Sequence, residues 1–471
     1  MSPKKTSRAE VAVRQKNLDR ADKAAVRFQA EPGLNEKIVR EISEQKDEPA
    51  WMLAKRLSAL KHFESSPLPG FGPNLSQLDL NSIVYFVRPD TSEATSWDKV
   101  PKEIKRTFEQ LGIPEAERTA LAGVGAQYDS DIVYHNLKKK WEAQGVIFEN
   151  MDVAVQKYPE LVKKYFMTEC VPISDHKFVM LHGAVWSGGT FIFVPKNVHI
   201  ELPLQAYFRM NAESGGQFEH TLIIADEGSE VHYIEGCSAP RYNKSSLHAG
   251  CVEIFVGKDA RVRYSSIENW SKDTYNLNTK RALVDDGGTI EWVSGNLGSG
   301  ATMLYPTSIL RAEGARSDSL GIAFAGSGQN QDTGAKAIHL APHTASTIVS
   351  KSISVDGGVN TFRGLISIAA NATNVTASMS CDALLIGKKS IANTIPELKI
   401  KNDQVSVAHE ARVGKIGEEE IFFLETRGFS EAEATRLLVS GFIEPIIKAL
   451  PVEYALELNK LIELEMEGAV G

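Results

Sequence analysis

The feature that narrows this chain most is a repeat. From roughly residue 195 to 407, Gly/Asp/Asn-rich turns that each run into a short β-prone segment recur about every 30 residues. The segments read FVPKNVHIEL, ADEGSEVHYIEG, VGKDARVRYSSI, VDDGGTIEWVSG, RAEGARSDSLGI, APHTASTIVSKS, AANATNVTASMS and IKNDQVSVAHEA. One such turn cannot bury its own apolar face, so the period implies a solenoid in which each strand is covered by a neighbour on either side. Aligning the turns makes Val198, Val231, Val262, Ile290, Ser317, Ser346, Val375 and Val405 equivalent. On that ruler Cys237, Glu268 and Cys381 each stand six positions further on, in one column of the stack. His409 and Glu410 follow Val405 by four and five positions, one turn beyond Cys381. Two thiols and a carboxylate in a shared column suggest a directed path for something carried on a thiol.

Evenly spaced strands without intervening helices predict a mainly β chain with a parallel β-helix core over residues 166–424. An antiparallel sandwich is the competing architecture, because short strands alone do not fix topology. Residues 1–165 read as an N-terminal helical region: LNEKIVREISE, WMLAKRLSALKHFE, KEIKRTFEQLG and VAVQKYPELVKKYF carry apolar residues at helical spacing, interrupted by SSPLPGFGPNLSQL. Residues 425–471 read as a C-terminal helical domain. Ser430 with Glu433 makes a capping box, Leu437, Leu438, Phe442 and Ile446 share one helix face, and VEYALELNKLIELEM follows Pro451. Such a pair caps the open last turn of the solenoid or docks a partner.

With 42% hydrophobic residues over 471 positions, the chain can build a sizeable core. Its formal charge of −8 argues against nucleic-acid binding, which needs a basic surface to displace counterions, and Lys138–Lys140 read as a solvated helix face. The N-terminus MSPKKTSRAEVAVRQ lacks the apolar core of a secretory signal, and no run approaches the roughly 18 apolar residues of a membrane span, so a cytoplasmic protein without a membrane partner is expected. Four dispersed cysteines give neither a disulfide framework nor a C-x-x-C pair, so a metal site would have to be assembled from distant parts of the chain or from two chains. Buried cysteines are usually inert small hydrophobes, the reading kept for Cys170 and Cys251. The look-alike GKKS at Gly387–Ser390 has Asp382 where a phosphate-binding loop needs its first glycine, so ATP must come from a partner.

The segments AVWSGGTFIFVPKNVHIELPLQAYFRMNAESGG, NQDTGAKAIHLAP, SMSCDALLIG, AHEARVGKIGEEEIFF and RGFSEAEATRLLVSGF resemble the SufB side of the SufB/SufD family of the SUF iron–sulfur cluster assembly machinery. The match is collinear from about residue 130 to the C-terminus. The resemblance implies a right-handed parallel β-helix flanked by helical regions, paired with SufD or a second SufB. It further implies an assembly scaffold, not an enzyme, with ATP hydrolysis supplied by the SufC ATPase docked on the C-terminal domain. Sulfur from a cysteine desulfurase or its sulfur carrier would enter as a persulfide and pass through the interior to a transient, nascent iron–sulfur cluster. By resemblance, Cys237 in GCSAP is the sulfur acceptor. Cys381 in SMSCD and Glu410 in AHEAR are interface metal ligands, with His409 beside them. Arg209 and Asn211 in FRMNA, Trp270 in ENW, Lys280 in TKRAL and Glu268 line the path. Ala408 replaces an acidic residue that relatives carry, and the binding of a reduced flavin stays open.

The residues support the same roles. Stacked turns lie about 4.8 Å apart, which brings Cys381 and the His409–Glu410 pair within reach, and iron favours thiolate, imidazole and carboxylate. A persulfide relay needs accessible thiols of low pKa, and Arg209 and Lys280 would supply the positive charge. Two other functions compete: an architectural SufD-like partner, which need not carry both cysteines, and a β-helix carbohydrate-active enzyme, which would present paired acids in an external groove.

Overall fold

The computed structural model describes residues 24–110, 121–242 and 244–450, together with Ala455, Leu458 and Ile462. Most of the second C-terminal helix expected after Pro451 lies outside the described residues. The core is a parallel β-solenoid, as the repeat requires. One sheet stacks Leu204–Arg209, Glu230–Ser238, Arg261–Asn269, Thr289–Leu297, Arg316–Ala325, Ala345–Val355, Val375–Ile386 and Val405–Lys415 in parallel, giving eight successive turns. The facing sheet runs from Gly189–Val194 through His220–Ala225, Cys251–Val256, Thr274–Val284, the broken strand Ala301–Leu304 and Thr307–Leu310, and Asn330–His339 to Val359–Ile368 and Ile391–Ile400. The antiparallel sandwich is thereby excluded.

Alternation along each strand separates lumen from exterior. Val231, Tyr233 and Cys237 face inward into a core shared with Val262, Tyr264, Ile290 and Trp292, while Ile234, Ile267 and Val293 face outward. Tyr233, Tyr264 and Trp292 are ladder partners on consecutive turns, and their rings stand 5.6 and 5.3 Å apart. Each such aromatic contact adds about 0.5–1.5 kcal/mol beyond burial and pins the register.

That register confirms part of the ruler and corrects the rest. Val231, Val262, Ile290, Ser317 and Ser346 are successive ladder partners, but the next partner is Ala377, not Val375. The physical marker is the turn residue in the left-handed region, three positions earlier: Gly228, Asp259, Gly287, Gly314, His343 and Asn374, with φ between 54° and 71°. Asn374 is that residue in its turn, so the column member is Ala377. Val198 is likewise displaced by two, because Asn197 (φ 59°) is the left-handed residue and His199 bridges Glu230. Val405 pairs with Val375 and shares its displacement. At Gly287 the requirement is strict, since an added Cβ would lie 2.3 Å from the Asp259 carboxylate of the turn below.

The N-terminal segment is less helical than expected. Helices Glu36–Gln45 and Ala50–Ser65 form where periodicity placed them, and VAVQKYPELVKKYF splits into Met151–Lys157 and Pro159–Tyr165 because Pro159 starts a new helix. Strands Gly123–Tyr128 and Asp131–Leu137, however, extend one solenoid sheet beyond Leu204–Arg209, and Ile147–Asn150 extends the other, both ending in antiparallel pairs. Conversely, Lys177–Val185, past residue 166, is a helix buried along its length between the N-terminal helices and the sheet.

The C-terminal helix Glu431–Ala449 opens on the expected capping box, with Ser430 Oγ accepting from the Glu433 amide. It does not cap the last turn. Val439, Ile443, Ile446 and Leu450 pack on the outward residues Ile234, Ile267, Val293, Ile322 and Ile353, so the helix lies along the solenoid's flank. The buried face is rotated from the one expected, and Leu437 is exposed. Among the described residues, the last strands of both sheets, Ile391–Ile400 and Val405–Lys415, thus keep an unpaired edge and expose Ile391, Ile395, Leu398, Ile400 and Val413. Among the described residues, no helix is long and apolar enough to cross a membrane.

Candidate functional site

Cys237 lies inside the lumen, on the inward face of Glu230–Ser238 and fully buried. Its ladder partner on the next turn is Glu268. The Glu268 carboxylate accepts from Lys280 Nζ at 2.6 Å and from Asn276 Nδ2 at 2.6 Å, and Lys280 reaches Glu235 at 3.6 Å. Asn276 Oδ1 in turn meets His248 Nδ1 at 2.8 Å, while His248 Nε2 meets Glu219 Oε1 at 2.5 Å. The Trp270 ring lies 4.2 Å from the His248 ring. Cys237, Glu268, Trp270 and Lys280 are therefore brought into one buried polar cluster. Glu219 and His248 complete it: His248 ends the short strand Ser246–His248 on the facing side and Glu219 immediately precedes the strand His220–Ala225, neither of which the one-sheet alignment covered.

The electrostatics reverse one expectation. Burial drives the Cys237 thiol well above its ordinary pKa, and Glu235, Glu219 and Glu268 push it further, with Lys280 the opposing charge. Lys280 is occupied by carboxylates: burial disfavours its charge, but Glu268 and Glu235 outweigh burial and raise its pKa. Burial likewise opposes the Glu268 charge, yet Lys280 and His248 bring its pKa below the ordinary value. In the lone chain Cys237 is a protonated, enclosed thiol, not the accessible low-pKa thiol anticipated.

Arg209 and Asn211 do not join this cluster. The residue beside Cys237 in the ladder is Phe208, so Arg209 sits on the outer face, where Nη1 donates to Ser238 Oγ at 3.1 Å. The Asn211 amide donates to Asp129 Oδ1 at 2.5 Å, in the same outer layer. Cys170 and Cys251 pack with Phe166, Trp186 and Phe255 beneath the N-terminal helices, outside the lumen, which fits their structural reading.

Cys381 is inward-facing but in a different column from Cys237. Its line runs back through Ser350, Gly321, Ser294 and Ser266 to Glu235, five ladder steps away and two positions from Cys237 on the same strand. Five steps correspond to about 24 Å along the axis. The two-residue displacement preserves the facing, so both thiols still look into the lumen. Between them, a narrow cavity is lined by Ser294, Asn296, Gly321, Thr333 and Ser350.

At the last turns, Ala411 is the ladder partner of Cys381, with Glu410 beside Ser380 and His409 beside Met379. Cys381 Sγ lies 3.8 Å from the backbone carbonyl of Glu410 and 3.9 Å from Thr394 Oγ1. The Glu410 carboxylate itself is on the outer face, 56% exposed and paired with Arg412 at 2.5 Å. One chain thus does not converge Cys381, His409 and Glu410 on a single point, because adjacent strand residues face opposite ways. Burial raises the Cys381 thiol pKa, with Thr394 opposing and Asp382 adding.

Comparison with known proteins bears on this arrangement directly. The family model for the SUF system FeS cluster assembly SufBD core domain matches residues 208–442, and that for the SufBD protein N-terminal region matches residues 40–206. An iron–sulfur cluster assembly SufBD family protein of Staphylococcus saprophyticus is 55% identical over 444 residues, covering 94% of this chain and 95% of the relative. A SufBD family protein of Staphylococcus aureus matches with the same identity and coverage.

Proposed function

From the premise that the chain belongs to the SufBD family of iron–sulfur cluster assembly proteins, we propose that it is the SufB-type scaffold of that system. In this reading Cys237 takes up sulfur as a persulfide, and a nascent cluster is built around Cys381 and Glu410 where a second subunit, SufD or another SufB, meets the end of the solenoid. The observation that carries the reading is the lumen itself: a charged cluster at Cys237 is followed by a column of serine and glycine that ends at Cys381. Small hydroxyl-bearing residues leave room for a sulfur-sized cargo and offer hydrogen bonds to it, where bulky apolar side chains would seal the lumen. Trp270, Glu268 and Lys280 serve at the entry. Arg209 and Asn211 act from the outer layer, where they hold the strand that neighbours Cys237.

The unpaired edges at Ile391–Ile400 and Val405–Lys415 are the natural place for the second subunit, whose own ligands would complete the set of four that a bridging iron–sulfur cluster takes. A SufC-type ATPase would dock on the C-terminal helical domain, residues 425–471, together with the helix Glu418–Glu425 that leads into it. All four cysteines are free thiols, as a sulfur relay in a reducing cytoplasm needs.

The enclosed, protonated state of Cys237 favours a second reading, an architectural SufD-like subunit. The two are separated by incubating the purified chain, without oxygen, with a cysteine desulfurase, its sulfur carrier and cysteine, and mapping persulfide by mass spectrometry. Persulfide on Cys237, absent from Cys237→Ser, is the result expected of a scaffold. No persulfide on any cysteine would favour the architectural role, and persulfide on Cys251 would overturn the assignment.

A further inference from the structure

Three chemically different ligands meet at the Cys237 end of the lumen. Glu219, Cys237 and His248 offer a carboxylate oxygen, a thiol sulfur and a ring nitrogen that all lie within 4.8 Å of one another. All three are buried, at 2%, 0% and 0% exposure. Glu219 Oε1 is engaged by His248, but Glu219 Oε2 is fully enclosed and has no hydrogen-bond partner. A buried charged oxygen without a partner is costly, so this atom is aimed at something the described residues do not supply. The local charges give its sign. Among the described residues, the carboxylates Glu219, Glu235 and Glu268 gather around Lys280 and His248, surroundings that suit a cation better than an anion.

The histidine is already oriented for such a role. Asn276 Nδ2 is committed to Glu268 Oε2 at 2.6 Å, so its Oδ1 is the acceptor facing His248 Nδ1, and Nδ1 must carry the hydrogen. A ring N–H held by an amide oxygen leaves the other nitrogen as the ligand atom, the way metal-bound histidines are usually fixed. The Trp270 ring, 4.2 Å away and tilted by 42°, packs against the imidazole and restricts its rotation.

We propose that Glu219, Cys237 and His248 form a binding site within one chain for a single divalent transition-metal ion of the Fe2+ or Zn2+ class, held by Glu219 Oε2, Cys237 Sγ and His248 Nε2. A mixed thiolate, imidazole and carboxylate set selects such ions over Ca2+ and Mg2+, which favour shells of oxygen. Binding is a proton exchange without redox change: the thiol proton and the proton on His248 Nε2 leave, and the metal takes the sulfur and nitrogen lone pairs. The metal would give the unpartnered Glu219 oxygen a partner and render Cys237 a thiolate despite its burial. The site stands whether or not Cys237 ever carries a persulfide, but metal and persulfide would compete for one sulfur.

The test is an oxygen-free titration of the reduced full-length chain with Co2+, read by the thiolate-to-cobalt absorption band. The band should saturate at one ion per chain in the wild type, Cys251→Ala and Cys381→Ala. It should vanish in Cys237→Ser, which is nearly isosteric, and in His248→Ala, with circular dichroism confirming the fold of each. Asn276→Ala, which frees the ring, should weaken binding about tenfold or more. No band in the wild type would overturn the proposal, as would a band that survives Cys237→Ser. Loss of the band in Cys251→Ala would overturn it too, by moving the ion to the buried His182–His220–Cys251 cluster outside the lumen.

Discussion

Lys280 Nζ sits 2.6 Å from Glu268 in a lumen where both side chains are almost wholly excluded from solvent. Glu235 stands 3.6 Å from the same ammonium, so one cation balances two carboxylates. Removing one partner of a buried pair strands the remaining charge at about 3–5 kcal/mol. Lys280→Met should therefore lower unfolding free energy by about that amount, and Lys280→Met with Glu268→Gln should recover part of it. Urea denaturation of the wild type and both variants measures this; equal stability of wild type and Lys280→Met would disprove the pairing.

A second buried acid predicts a pH dependence. Glu253 accepts from the Met167 and Val171 amides at 2.6 and 2.9 Å, and its Oε2 lies 3.1 Å from His220 Nε2. His220 Nδ1 is 3.0 Å from His182 Nε2, and His182 Nδ1 is 2.9 Å from the Ala249 carbonyl, so Glu253 stands at the end of a buried row of two histidines. Burial, offset by the two amides, raises its pKa from 4.5 to about 8. Because the folded-state value is raised, the stability this group contributes is fully present below pH 4.5 and is lost as pH rises through about 8. The slope is at most about 1.4 kcal/mol per pH unit. Glu253→Gln, which is neutral at every pH, should remove that slope and gain on the wild type as pH rises. Parallel pH profiles of unfolding for the two proteins would refute the assignment.

How much of this was legible in the sequence follows from what the repeat encodes. Val231 through Ser346 fell into register because their turns have equal length and similar chemistry, and the Cys237–Glu268 neighbourhood came with them. Register failed after Ser346, where Asn374 takes the left-handed turn position two residues later than the alignment assumed. An even displacement moves a residue along the strand without turning it over, so Cys381 remained inward-facing. Glu219 and His248 were missed because they lie on or beside the facing sheet, whose shorter and broken strands carry no comparable turn signal. The two faces of the Cys381 strand also follow from alternation, which places His409 inward and Glu410 outward; spacing along the repeat alone did not separate them.

The exposed pair on the helix Glu418–Glu425 predicts a docking point. Phe422 and Phe423 are 66% and 55% exposed, unusual for two adjacent aromatic side chains, whereas the apolar face of the following helix is already covered by the solenoid. Phe422→Glu with Phe423→Glu should abolish co-purification with a SufC-type ATPase while shifting chain stability by no more than about 0.5 kcal/mol per site. Retention of the ATPase by this variant would place docking elsewhere.

In the proposed function a cluster is built at the Cys381 end and needs a second subunit. Cys381 offers its sulfur to the lumen while Glu410 points outward against Arg412, so a single chain does not assemble a full ligand set. The most direct measurement is oxygen-free reconstitution of the subunit complex with a cysteine desulfurase, cysteine and ferrous iron, counting iron and acid-labile sulfide per complex. Wild type and Cys251→Ala should load equally, and Cys381→Ala and Glu410→Ala should each lose most of both elements with the fold and partner binding intact. Undiminished iron and sulfide in both Cys381→Ala and Glu410→Ala would contradict the account.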